Sequence, residues 1–154
     1  MKGWQKVIDA LNSILDDELT VINQYMIHTE MCGSWGYDKL HEMIEKRAIT
    51  EVKHAEKLIA RILFLEGIPI VSELKKIRIG ADIPVIFAND HNPKNNDIKI
   101  YNPAIVVCGD AQDYATRKIL EGILGDEDGH IGGIEEIQDQ IKQMGLQIFL
   151  SARA

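Results

Sequence analysis

At 154 residues, 45% apolar and 27% charged, the chain has the size and balance of one domain with a core of its own, not of a tail or a linker. A net charge of -7 and a pI near 5.2 exclude a general binder of phosphate backbones, which needs clustered Lys and Arg, and suit a surface or cavity that draws cations. Cys32 and Cys108 are too few for a disulfide framework and read as small buried side chains in a reducing compartment.

Helical periodicity dominates the chain. A first helix is predicted over about 5–33, where Val7, Leu11, Ile14, Leu15, Glu18, Val21, Ile22 and Tyr25 recur at steps of three and four, so that Glu18 sits inside the apolar stripe. Gly33, Ser34 and Gly36 end it. A second helix is predicted over about 38–66, with Leu40, Ile44, Ala48, Glu51, Ala55, Leu58 and Ile62 on one side and Gly67 and Pro69 closing it. Residues 67–83 read as a long connection, apolar enough at Ile68, Ile70 and Val71 to pack as a strap. Such a crossover lets two consecutive helices run parallel, whereas the short gap near Gly109 and Asp110 forces the next pair antiparallel.

The third helix is predicted over about 84–109, with a break expected within 89–97, where Asn89, Asp90, Asn92, Pro93, Asn95 and Asn96 are turn formers or poor helix formers. Pro93 in a helix interior costs about 3 kcal/mol, unless the helix restarts there with Asn92 as its cap. The fourth helix, over about 111–145, carries Leu120, Ile123, Leu124, Glu127, Ile131, Ile134 and Ile137 in register, which turns Glu127 inward. A short fifth helix is expected over 147–153. The fold class that results is an all-α four-helix bundle with one long crossover, as a single domain over 1–154. Trp4 and Trp35, at helix edges, are expected to pack. No apolar run approaches the about 20 residues of a membrane span, and Met1 to Lys6 lacks the pattern of a secretory signal. A cytoplasmic protein with neither membrane nor nucleic acid among its partners is expected.

One short phrase occurs twice. Glu51-Val52-Lys53-His54 and Glu127-Asp128-Gly129-His130 are both Glu-x-x-His inside helical registers, and residues three apart share a helix face. The interval between them also carries Tyr25 onto Tyr101 and Glu18 onto Lys94, so the second half reads as a worn copy of the first, with a lysine where a carboxylate would repeat. A lone Glu-x-x-His is ordinarily a solvated pair. Two copies at matched offset, both in apolar registers and joined by Glu18, place three carboxylates and two imidazoles in one interior, where a cation is what makes them tolerable. Oxygen and imidazole without thiolate suit iron, manganese or zinc, and two helices giving Glu-x-x-His while two others give Glu is the pattern of di-iron carboxylate bundles. His28, His41 and His91 lack partners at ligand spacing and are expected to be surface or packed histidines.

From end to end the chain resembles a bacterioferritin subunit, in Met1-Lys2-Gly3, Ile22-Asn23-Gln24-Tyr25, Arg61-Ile62-Leu63-Phe64-Leu65-Glu66-Gly67, Asp126-Glu127-Asp128-Gly129-His130-Ile131 and Gln143-Met144-Gly145-Leu146-Gln147. The resemblance implies a ferritin-like fold and a shell of twenty-four subunits that oxidises Fe(II) inside each bundle with oxygen or peroxide and stores the ferric product as mineral. It implies Glu18, Glu51, His54, Glu127 and His130 as metal ligands, with Glu51 and Glu127 bridging, and Tyr25 as a phenol close to the centre. Three departures stand against it. The family's sixth ligand, a glutamate, falls on Lys94, and Glu18, Glu51 and Glu127 with one ammonium balance a single divalent ion, so either one iron per subunit is held strongly and a second weakly, or Lys94 swings outward and leaves an open coordination position. Asp90, His91 or Asp97 could reach the metal in place of Lys94 only if the backbone moved, since Asp90 and Asp97 sit about a turn from the required position. The methionine that binds haem b between two subunits falls on Val52, so no methionine-ligated haem is expected, and Lys46 and Thr50 replace accessory iron ligands. Two other readings stay open: a ferroxidase-impaired subunit of a mixed shell, whose partner supplies the missing glutamate and methionine, and a di-iron oxidoreductase without a storage role.

Overall fold

Five helices make up the regular structure of the computed structural model: α1 (Gln5–Ser34), α2 (Asp38–Phe64), α3 (Ile83–Asp110), α4 (Tyr114–Met144) and α5 (Leu146–Ser151). There is no strand among the described residues, which are all of 1–154 apart from the side chains of 93–97. The side chains of Pro93, Lys94 and Asp97 lie outside the described residues, but α3 runs as one helix from Ile83 to Asp110, without the break expected within 89–97.

Each helix end has a local cause. Between α1 and α2 the chain reverses through Gly36 at φ 84, a left-handed conformation that favours glycine, and Tyr37 N–H closes onto the Cys32 carbonyl at 2.9 Å. Helix α2 stops at Phe64, two residues short of the sequence expectation, because Glu66 turns left-handed at φ 62 and Gly67 N–H returns to the Ile62 carbonyl at 2.9 Å. Asp82 caps α3 by accepting from Val85 N–H, and Pro84 occupies the first turn, where its missing N–H does no harm. Helix α4 starts at Tyr114 rather than 111, since Gln112 at φ 57 makes the turn and Asp113 caps.

Helix α1 packs on α2 and α3, while α4 packs on α3, α2 and α5. Direction follows from which residues meet. Glu18 of α1 reaches Tyr101 of α3, whereas Gln24 and His28 reach Asp90, so α1 and α3 run antiparallel. Arg61 of α2 meets Asp113 at the start of α4, and Glu51 meets His130 further along, so those two are antiparallel as well. With short turns inside each half, α2 and α3 are left parallel, and the crossover between them travels the length of the bundle.

That strap is stitched to α1 by a file of polar side chains. Asn12 brackets it, donating to the Ile68 carbonyl and accepting from Ile70 N–H. Further along, Thr20 accepts from Lys75 N–H, Gln24 from Arg78 N–H, and His28 Nε2 from Gly80 N–H, while Lys75 also pairs with Asp17. Asn12 to His28 covers about 24 Å of helix at 1.5 Å per residue. His28 is fully buried, and since its Nε2 accepts, its Nδ1 donates to Asp90 at 2.8 Å. Trp4 and Trp35 depart from expectation: on the single chain both are exposed, at 63% and 39%, because each flanks a helix end beyond the bundle's packed faces.

The core is two apolar blocks. One gathers Val7, Leu11, Leu15, Leu58, Ile62, Cys108, Leu120 and Ile123; the other gathers Val21, Cys32, Leu40, Ile44, Phe87, Ile134 and Phe149. Between them, in sequence on every contributing helix, fall Glu18, Glu51, His54 and Glu127.

At the end nearest the first block a polar network closes the bundle. Arg61 Nε donates to the Thr116 hydroxyl at 2.7 Å and its Nη2 to Asp113 at 3.0 Å, while Asp113 accepts from Thr116 N–H at 3.1 Å and from its hydroxyl at 2.6 Å. Burial opposes the charge on Asp113, but these donors outweigh it and hold the carboxyl below its ordinary range. Its stabilising contribution is therefore complete above about pH 3.9, where the unfolded carboxyl ionises, and is lost as pH falls through the lower folded-state value. Asp113→Ala is expected to cost about 2 kcal/mol and to lower the melting temperature by several degrees near pH 7, with the difference from the parent shrinking in acid. Thermal melts at pH 7 and pH 3 check both parts.

Candidate metal centre

The side chains that fill the gap between the apolar blocks come from three helices. Glu18 stands on α1, Glu51 and His54 one turn apart on α2, and Glu127 on α4, each at most 1% exposed. One ligand atom from each of the four lies within 4.8 Å of the others. His54 Nδ1 is 3.0 Å from Glu51 Oε2, 3.2 Å from Glu127 Oε1 and 3.8 Å from Glu18 Oε2. His130 approaches from α4 with its Nδ1 3.0 Å from Glu51 Oε1, so Glu51 lies between the two imidazoles, whose ring centres are 6.3 Å apart.

Three carboxylates at such spacing repel one another, and a protonated His54 among them offsets part of that repulsion. Burial by itself would lower its pKa, but Glu127, Glu18, Glu51 and Asp126 together push it up to about 12. The imidazolium occupies the position that a small cation with oxygen and nitrogen ligands would fill. The donor set is hard oxygen and imidazole, with both cysteines elsewhere, buried in the apolar blocks: it fits a divalent transition metal such as iron, manganese or zinc and offers nothing to a soft, thiolate-seeking one.

Sequence reasoning misses two contributors. Asp126, half-exposed at 52%, accepts from His54 Nε2 at 2.9 Å, which turns Nδ1 toward the carboxylates. This is the carboxylate–histidine pairing that fixes ring orientation in metal sites. Its only sequence signal is adjacency to Glu127. Tyr101 donates its hydroxyl to Glu18 Oε1 at 2.5 Å. The internal repeat singles it out as the counterpart of Tyr25, but without a role. Tyr25 itself is buried, on the second apolar block.

Of the side chains considered as substitutes for the missing glutamate, Asp97 lies outside the described residues, and Asp90 and His91 are engaged elsewhere. Asp90 is taken by Gln24 at 2.8 Å and by His28, and His91 Nε2 lies 3.0 Å from Glu135 at the surface. His41 Nδ1 is 2.8 Å from the Thr29 carbonyl. Thr50 turns its hydroxyl back onto the Lys46 carbonyl of its own helix at 3.1 Å, and Val52 lies on the outer surface of α2.

Residues 8–144 match the model of the ferritin-like domain. The chain is similar to a bacterioferritin of Rhodobacter capsulatus, with 36% identity over 97% of this chain and 92% of that one. It is 34% identical to a bacterioferritin of Brucella melitensis over 94% of this chain and 90% of the relative. A bacterial ferritin of a Synechocystis species is 36% identical over 99% of both.

A cation held through His54 would compete with its proton for one position, so loading would displace that proton and be favoured as pH rises. Calorimetric titration of the metal-free protein with Co(II) or Zn(II) near pH 7, in buffers of different ionisation enthalpy, should return roughly one proton released per cation bound. Release near zero would place the cation away from His54.

Proposed function

We propose, from the premise that the chain belongs to the bacterioferritin branch of the ferritin-like family, that it stores iron: it oxidises Fe(II) within its bundle and keeps the ferric product inside an oligomeric shell. The observation that carries this reading is the meeting of Glu18, Glu51, His54 and Glu127 in a buried layer between two apolar blocks. Fe(II) is the substrate. Glu18, Glu51, Glu127 and His54 would hold it, with His130 completing the set from the far side of Glu51, and oxygen or peroxide takes the electron. The carboxylates favour the ferric product more than the ferrous ion, since their negative charge is attracted more strongly by the higher charge. Asp126 holds the imidazole of His54 in place and, being half-exposed, links it to solvent.

Assembly into a shell of many copies of this chain, twenty-four by analogy with the family, is part of the same proposal. Met26 and Ile27 on α1, Ile49 and Leu63 on α2, and Ile68 and Val71 on the strap are exposed apolar side chains that a lone subunit would leave in water. No helix among the described residues is long and apolar enough to cross a membrane, which agrees with a cytoplasmic store. The pairing of Lys94 with Val52 supports one second reading, in which this chain is the ferroxidase-impaired member of a mixed shell.

Aerobic addition of Fe(II) to the purified protein tests the proposal. Rapid oxidation that ends in a soluble mineral core is expected, and Glu51→Ala should slow it by at least about tenfold. Slow oxidation in an intact shell would favour the impaired subunit, and precipitation of iron outside the protein would overturn storage. Anaerobic titration should return one tight Fe(II) per chain, from the charge left by three carboxylates and one lysine; two tight equivalents would overturn that count. Shells of this chain alone should carry no Soret band of bis-methionine haem, because the hydrocarbon of Val52 has no lone pair to give iron.

A further inference from the structure

We propose that Tyr101 is a positioning residue of the metal centre, its hydroxyl occupying one oxygen of Glu18 so that this carboxylate meets a cation through the other oxygen alone. The inference rests on the cation-binding reading above and adds to it a device for selecting among cations. Tyr101 is 1% exposed, on α3, and packs in the first apolar block beside Ala104 and Leu120. Its hydroxyl bonds to Glu18 Oε1 at 2.5 Å, while Glu18 Oε2 faces the cluster, 3.8 Å from His54 Nδ1. The two oxygens of this carboxylate therefore have different surroundings, one a phenol and the other the centre.

Glu51 is steadied differently, with one oxygen against each imidazole. Glu18 is the cluster's sole contribution from α1, and the phenol ties it to α3 across the helix interface. An O–H donated to an ionised carboxylate is among the stronger hydrogen bonds in proteins, so Glu18 is held to a single-oxygen approach. Ca(II) takes 6–8 oxygens and commonly gathers them through chelating carboxylates, whereas first-row transition ions accept fewer ligands and take imidazole readily. Withholding one oxygen lowers the number available and favours the transition ion.

Tyr101→Phe removes the hydroxyl and keeps the ring. With metal-free protein, Co(II) binding is followed by its d–d absorption and Ca(II) binding by calorimetry, for the parent and the variant. The expected result is a Co(II) dissociation constant raised about 10-fold to 100-fold with an altered d–d band, while Ca(II) binding is not weakened. An unchanged Co(II) constant overturns the proposal, and so does an equal loss for both cations with an unaltered band, which is the signature of a packing defect. If the parent chain itself gives no Co(II) band, the metal-centre reading fails, and this inference with it. Tyr101→Met, which also lacks the hydroxyl but fills space flexibly, carries the same comparison if the Phe variant does not fold.

Discussion

The architecture turns on mutual repulsion among Glu18, Glu51 and Glu127, buried together at the waist of the bundle. An unpaired carboxylate in an apolar interior is costly, and three of them favour separation of the helices that carry them. Holding them in contact calls for positive charge among them, and His54, whose pKa these carboxylates push up to about 12, contributes it. The pairs that bring α2 and α4 together at this level, Glu51 with His130 and His54 with Asp126, are also the pairs that orient the candidate ligands. Fold and site are here the same set of contacts.

What makes the charged waist tolerable is the apolar packing above and below it. Val7 to Leu15 on α1, with Leu58 and Ile62 on α2, form one block, and Val21 to Cys32 with Leu40 and Ile44 form the other. Each is a helix-bundle core of ordinary kind, sealed at one end by the Arg61, Asp113 and Thr116 network and at the other by Phe149 of α5. The polar layer is therefore buried and remains well away from either end of the molecule.

The bundle and four of the ligand-type residues can be read in the sequence for one physical reason: a carboxylate inside an apolar stripe at steps of three and four has nowhere to point but inward. Glu18, Glu51 and Glu127 each obey that rule, and His54 follows from the shared face of Glu-x-x-His. The same rule is silent about Asp126, whose register is that of a surface residue and whose partner lies on another helix. It is silent too about His28, which has no neighbour in sequence to suggest Asp90 and Gly80. Tyr101 can be noticed through the repeat, yet its bond to Glu18 depends on the α1 to α3 packing distance, which periodicity does not encode. Trp4 and Trp35 are expected to pack because tryptophan is apolar, but a residue beyond a helix end has no facing helix to meet.

The strap along α1 is fastened largely by its main chain. Asn12, Thr20, Gln24 and His28 grip amides or carbonyls of Ile68, Ile70, Lys75, Arg78 and Gly80, groups present whatever side chain each position bears. Side-chain identity enters where Lys75 pairs with Asp17, and where room is short: at Gly80 a β-carbon would come within 2.4 Å of the Ile86 nitrogen. Elsewhere the outward residues of the strap carry little of the crossover's fastening, so substitutions there would alter this ribbon's outer chemistry and leave its path along the helix beneath in place.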